Sequence, residues 1–238
     1  PFKSKAMKRQ CNSGIEKSPG DQHGREEHHD SVVILIHGFF RTGRDMRRLG
    51  SLLAEYGWRV EAITVPARFG TLEDCVNVLE KKHAEMQPRA ARIHLAGHSF
   101  GGLVIRAFLA RNRIPNPGRC VLMGTPNKGA RLAGLETKVF PGIETVVKPL
   151  TALAAAAPIP PPLNSPPPEI GVIASKNSRM LTGFLIPEPS DGRVELSSTP
   201  LEGMTDYALV PFVHNRMHKR RETAALIDRF LRTGKFTG

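Results

Sequence analysis

The stretch that most constrains how this chain can fold is residues 97–101, Gly-His-Ser-Phe-Gly. It follows the apolar run 93–96 and opens a second apolar run, 102–110, which is typical of a helix. A strand that turns directly into a helix needs a very tight turn, so the positions flanking the turn require residues without side chains. The pattern predicts that Ser99 stands at the carboxyl edge of a central strand with its hydroxyl exposed.

The rest of the chain alternates between strand and helix patterns. Continuous β-branched runs such as residues 31–36 are typical of strands buried on both faces of a parallel sheet. The predicted strands cover residues 31–36, 59–65, 93–96, 119–123, 170–175 and 207–210, and the predicted helices cover residues 45–56, 71–87, 102–110 and 223–231. This alternation predicts an α/β fold class, with a mostly parallel central sheet and helices on both faces.

Two regions depart from this rhythm. Residues 1–30 are polar and charged, which predicts a flexible basic tail ahead of a single domain at 31–238. We interpret His23, His28 and His29 in this tail as adventitious rather than as a metal site. Residues 130–169 contain apolar helical pieces followed by a proline-rich stretch. We expect them to form a small cap-like insertion over the edge of the sheet that carries Ser99, and helices that simply pack on the core are the alternative.

The amino-acid composition limits the class of protein and the binding partners to be expected. Of the 238 residues, 40% are hydrophobic and 24% charged, which is ordinary for a globular protein. No recognisable signal peptide is present and the three cysteines suggest no disulfide framework, so we expect a cytoplasmic protein. The net charge of +12 suggests nucleic acid or an anionic membrane surface as possible binding partners. With one Trp and two Tyr and no nucleic-acid module, we expect no nucleic-acid binding.

The order of polar residues predicts a nucleophile with a base and an acid. A serine hydroxyl is protonated at neutral pH, so it needs a base in contact and that base needs an orienting acid. His214 follows the last predicted strand and fits the base, whereas His218 is expected to face solvent. Asp191, in a glycine-containing exposed turn ahead of a possible short strand, fits the acid, and Asp206 is the alternative.

The segment after the first predicted strand supplies the remaining part of this chemistry. Residues 37–39, His-Gly-Phe, follow strand 31–36 directly. The backbone N–H groups of Phe39 and Phe100 are therefore predicted to form an oxyanion hole. His98 is expected to point away from Ser99. No metal-ligand cluster or phosphate loop is apparent, so we expect a site without metal or cofactor.

From residue 31 to about residue 236 the chain resembles the small bacterial α/β-hydrolases of the lipase and carboxylesterase type. The Gly-x-Ser-x-Gly motif at residues 97–101, called here the elbow, is common to many hydrolases when it stands alone. Its combination with the other blocks in this order is more specific. The blocks that carry the resemblance are residues 37–42, 97–102, 124–126, 171–174, 191–194, His214 and 228–236. The resemblance implies an α/β-hydrolase fold, esterase activity without a cofactor, and a catalytic triad of Ser99, Asp191 and His214.

The expected function is a serine hydrolase that cleaves small-molecule or lipid esters of short to medium acyl chains through an acyl-enzyme. An acyltransferase or thioesterase using the same acyl-enzyme is an alternative, and so is a catalytically inactive binding protein of the same fold. Arg41, Arg44, Arg216 and Lys219 are expected near the mouth of the site, where they favour weak contact with an anionic membrane surface. The sequence leaves the oligomeric state open.

Overall fold

The computed structural model describes residues 30–128, 167–177 and 189–237. Within them the chain forms a six-stranded sheet in the order β2-β1-β3-β4-β5-β6, and every neighbouring pair is parallel. The strands are β1 (Ser31–Ile36), β2 (Arg59–Ile63), β3 (Arg92–His98), β4 (Cys120–Met123), β5 (Ile170–Ala174) and β6 (Asp206–Leu209). The predicted parallel sheet is therefore confirmed. The first and last residues of each strand lie within two residues of the predicted ones.

Five α-helices connect or follow these strands in the described residues. They are α1 (Arg47–Glu55), α2 (Leu72–Met86), α3 (Phe100–Arg111), α4 (His214–Met217) and α5 (Arg221–Thr233). Thr71 caps α2 as its position suggests, because its hydroxyl accepts from the N–H of Asp74 while the Asp74 carboxylate accepts from the N–H of Thr71. A short 3-10 turn, Gly43–Met46, precedes α1.

The core lies in two layers, one on each face of the sheet. Because successive strand residues point to opposite faces, Val32, Ile34 and Ile36 of β1 pack with α2 and α3, whereas Val33 and Leu35 pack with α1 and α5. All five side chains are fully buried. This double burial explains why β1 is a continuous apolar run rather than an alternating one.

Some expectations are corrected and others lie outside the described residues. Residues 189–194 were expected as an exposed turn and a strand, but Ser190 and Asp191 are buried and the loop has only an isolated bridge between Ser190 and Glu195. The expected tail falls on residues that are not described, except Asp30, and so does the expected cap up to residue 166. No helix in the described ranges combines the length and apolarity needed to cross a bilayer.

Candidate active site

Ser99 sits at the strained turn between β3 and α3. Its backbone has φ 55° and ψ −119°, a conformation that residues other than glycine rarely adopt. The turn is closed by backbone contacts, since a Cβ on Gly97 would lie 2.6 Å from the backbone of Gly101, and a Cβ on Gly101 would overlap the carbonyl oxygen of Ile36. The two glycines of the motif are thus required by close approach of the backbone.

Hydrogen bonds to β4 and to the segment that follows it fix this turn in place. The N–H of Ser99 donates to the carbonyl oxygen of Met123 at 2.7 Å. The hydroxyl of Thr125 donates to the carbonyl oxygen of Ser99 at 3.1 Å. Because these bonds use only the backbone of Ser99, its hydroxyl is left for chemistry.

Asp191 and His214 form a buried acid–base pair. The Oδ2 atom of Asp191 accepts from Nδ1 of His214 at 2.6 Å, and the N–H of His214 donates to the Asp191 carbonyl at 2.9 Å. The second carboxylate oxygen of Asp191 accepts from the N–H groups of Arg193 and Val194 at 3.0 and 2.8 Å. Asp191 is 1% exposed and His214 is 3% exposed, so the pair is shielded from water. This bonding places the proton on Nδ1 and leaves Nε2 of His214 able to act as a base.

Two neighbours of Ser99 or of its bonded partner lie close to this pair. Gly124 follows Met123, the residue bonded to Ser99, and a Cβ on Gly124 would lie 3.1 Å from Oδ2 of Asp191 and 3.2 Å from Nδ1 of His214. His98, immediately before Ser99, donates from Nε2 to the carbonyl of His214 at 3.0 Å. In the described structure the Ser99 hydroxyl and His214 are not hydrogen-bonded to each other, and bonds of this kind often form only when substrate binds.

The loop after β1 lies against the elbow. A Cβ on Gly38 would be 3.2 Å from Cβ of Ser99, and the Phe39 and Phe100 rings are 6.0 Å apart. Phe40 occupies a left-handed position, φ 56°, in the turn closed by the N–H of Arg41 and the carbonyl of Gly38. Phe100 is the first residue of α3, so its N–H lacks a partner within the helix, and within the described ranges the N–H of Phe39 has no hydrogen bond.

His37 supports this loop in a way that sequence reasoning missed. Its Nε2 accepts from the N–H of Val65 at 3.1 Å, which requires the proton to be on Nδ1, and Nδ1 donates to the carbonyl of Gly38 at 2.8 Å. The ring is fully buried, and burial lowers the pKa of His37, so the imidazole is neutral. The signal available in the sequence was a histidine directly before the loop glycine.

The competing residues lie elsewhere. The carboxylate of Asp206 accepts from the N–H groups of Tyr207 and Phe236 at 2.9 and 2.7 Å and makes no contact with His214. His218 was expected to face solvent, but it is completely buried. Lys219, expected near the mouth of the site, is bonded to Asp45 at 2.5 Å.

Two further features lie near the segment that carries His214. A cavity of about 420 Å³ is lined by residues that precede and follow His214 in the sequence and by Asn177, namely Asn177, Pro211, Phe212, Val213, Asn215, Arg216 and Arg220. Asp45, His98 and His218 form a group whose potential metal-ligand atoms all lie within 4.8 Å of one another. His98 therefore points toward the His214 segment and this group.

A family model described as "Alpha/beta hydrolase family" matches residues 33–231, which is most of the chain. The chain belongs to the alpha/beta hydrolase family. The match spans the elbow, the acid–base pair and the loop after β1. The match supports hydrolase activity in general. No curated protein matches the chain.

Solved structures of lipases and esterases share this hydrolase fold. The mature Bacillus licheniformis lipase BlEst2 is 15% identical, with a TM-score of 0.69 over 84% of this chain and 90% of that one. A metagenomic carboxyl esterase is 12% identical, with a TM-score of 0.70 over 86% of this chain and 75% of that one. The Legionella pneumophila phospholipase PlaB is 14% identical, with a TM-score of 0.56 over 71% of this chain and 45% of that one. At these identities the likeness establishes the fold alone.

Proposed function

We propose that this hydrolase cleaves carboxylic esters of short to medium acyl chains, with Ser99 as nucleophile, His214 as base and Asp191 as orienting acid. The observation that carries the proposal is the 2.6 Å contact between Asp191 and His214 beside a strained elbow that presents Ser99. The lipase and esterase names of the structural neighbours agree with an ester as substrate.

The steps follow from the orientation of each group. His214 Nε2 takes the Ser99 proton as the Ser99 oxygen attacks the ester carbonyl carbon, and Asp191 stabilises the imidazolium that forms. The N–H groups of Phe39 and Phe100 stabilise the negative carbonyl oxygen. The carbon–oxygen bond to the alcohol then breaks, and His214 returns its proton to the departing alcohol. Water, deprotonated by His214, releases the acid and regenerates Ser99.

Hydrolysis of p-nitrophenyl esters of graded chain length tests the proposal. We expect turnover by the native chain, with the chain-length profile reporting the size of the acyl pocket. Ser99→Ala should lower kcat/KM by at least about 10⁴-fold. Ser51→Ala is the matched control, because Ser51 is exposed on α1, and it should leave kcat/KM unchanged.

A fluorophosphonate probe tests the nucleophile without assuming a substrate. The Ser99 oxygen should displace fluoride from phosphorus and form a stable phosphonyl ester, detected as an added mass on the peptide that contains Ser99. Labelling of Ser99→Ala, or ester turnover that survives in this variant, would show that the elbow is not the active site. A folded native chain that is neither labelled nor active would favour a binding protein.

A further inference from the structure

The group formed by Asp45, His98 and His218 has features that the proposed reaction does not use. Asp45 lies in the 3-10 turn before α1, His98 is the last residue of β3, and His218 directly follows α4. These three segments meet behind His214, on the side of its backbone carbonyl. We propose that Asp45, His98 and His218 together bind one divalent transition-metal ion, with Zn²⁺ as the preferred ion.

His98 has the bonding pattern of a metal-binding histidine. Because a carbonyl oxygen can only accept, Nε2 of His98 carries the proton that is donated to the His214 carbonyl at 3.0 Å. Nδ1 therefore carries a lone pair, and within the described residues this buried atom has no hydrogen-bond partner. Histidines that bind metals usually donate their other ring N–H to a carbonyl or carboxylate in this way.

His218 and Asp45 are spaced like two neighbouring ligands of one ion. His218 is completely buried, and neither of its ring nitrogens makes a hydrogen bond within the described ranges. Its Nε2 is 3.1 Å from Oδ2 of Asp45 without the angles of a hydrogen bond. With metal–ligand distances of about 2.1 Å, adjacent ligand atoms lie about 3.0–3.4 Å apart, so this spacing suits a shared ion.

The charge states also suit a cation. Burial lowers the pKa of both His98 and His218, so both imidazoles are neutral and offer lone pairs. Asp45 is held as a carboxylate by Lys219, whose Nζ is bonded to its Oδ1. Two imidazoles and one carboxylate favour Zn²⁺ over Ca²⁺ or Mg²⁺, which prefer oxygen ligands.

Two local contacts must change when the ion binds. The rings of His98 and His218 are tilted by 35° to each other with centroids 4.0 Å apart, and two imidazoles on one ion need centroids about 5 Å apart. Lys219 is bonded to Oδ1 of Asp45 and repels a cation, but its side chain is 40% exposed and can turn into solvent. The proposal therefore requires the rings to separate by about 1 Å and Lys219 to release Asp45.

Metal titration of the full, untagged chain tests this site. His23, His28 and His29 are first replaced by Ala, so that the tail cannot supply ligands, and the protein is stripped with a chelator. Calorimetry should then show one equivalent of Zn²⁺ bound, and Co²⁺ should give visible absorption bands of a four-coordinate site. In this background His218→Ala and Asp45→Asn should each weaken Zn²⁺ binding at least about tenfold. His83→Gln, on α2, is the matched control and should bind Zn²⁺ unchanged.

The proposal fails if the tail-substituted chain binds no Zn²⁺ at micromolar concentrations. It also fails if His218→Ala and Asp45→Asn both bind as tightly as their parent. Should one of these variants not fold, the other variant and the Co²⁺ spectrum of the parent decide. The measurement does not depend on ester hydrolysis, so an inactive chain could still bind the ion and an active chain could fail to bind it.

Discussion

Two contacts between an aspartate and a histidine lie side by side in this fold, and they differ in how completely they are satisfied. Asp191 meets His214 at 2.6 Å, and two backbone N–H groups hold its other oxygen. Asp45 approaches His218 at 3.1 Å without hydrogen-bond geometry, and Lys219 holds its other oxygen. We propose that these similar residues serve different ends, the first pair orienting a base and the second binding an ion.

Breaking the first contact should give the largest effect. Asp191→Asn cannot hold the Nδ1 proton of His214 as a carboxylate does, so kcat on p-nitrophenyl esters should fall by about 10⁴-fold. Circular dichroism should show an unchanged fold. Asp206→Asn is the matched control, since Asp206 does not contact His214, and its kcat per folded molecule should match the native value. A larger loss in Asp206→Asn would reverse the assignment of the acid.

Breaking the second contact should affect stability through the metal ion. An ion that binds only the folded state, present at about 100 times its Kd, stabilises that state by about 2.7 kcal/mol. In the tail-substituted chain, Zn²⁺ should raise the free energy of unfolding by this amount, and His218→Leu should abolish the increase. Urea unfolding with Zn²⁺ and with chelator measures both. An equal Zn²⁺ effect in His218→Leu would place the ion elsewhere.

A substitution at Gly124 should disturb the contact between Asp191 and His214 without changing either residue. Gly124→Ala adds a Cβ 3.1 Å from Asp191 Oδ2 at a φ of +56°, whereas Gly203→Ala adds one with nothing within 4 Å at a φ of +76°. Both should lose about 1 kcal/mol to backbone strain, and Gly124→Ala should lose about 1 kcal/mol more through crowding. Urea midpoints compare the two variants. Only Gly124→Ala should also lower kcat, and equal behaviour of the two would contradict the crowding.

His37 is a third histidine that can be compared with His214 and His218. Both of its ring nitrogens are hydrogen-bonded to backbone groups, and within the described ranges neither is bonded to a carboxylate. Its pKa is lowered in the folded protein, so unfolding takes up a proton at low pH. Its contribution to stability is therefore complete above its unfolded pKa of about 6.5 and falls as the pH drops through the folded pKa, by at most about 1.4 kcal/mol per pH unit. Urea midpoints at several pH values measure this. His37→Gln, which can donate and accept but does not titrate, should lose that part of the pH dependence.

The parts of the fold set by local pattern could be predicted from the sequence, and the parts set by distant contacts could not. The apolar run of β1 and the glycines around Ser99 determine the local backbone conformation. The positions of the strands along the chain and the elbow could therefore be predicted from the sequence. His218 looked exposed because its neighbours in sequence are basic. It is buried against Asp45 and His98, which come from segments far away along the chain. The sequence left Asp191 and Asp206 as alternatives for the same reason, since only the fold brings Asp191 to His214.

The parallel order of the sheet has a consequence for how the protein gains activity during synthesis. Ser99 directly follows β3, in the middle of the sheet, but His214 follows β6, which lies at one edge and is the last of the described strands to be made. Parallel pairings between distant segments form slowly, because each closes a long loop before any contact forms. A chain emerging from the ribosome can therefore build the elbow early, yet has no complete proposed triad until β6 has docked on β5. Enzymatic turnover would then report completed folding of the whole sheet, and premature termination ahead of His214 would yield an inactive fragment.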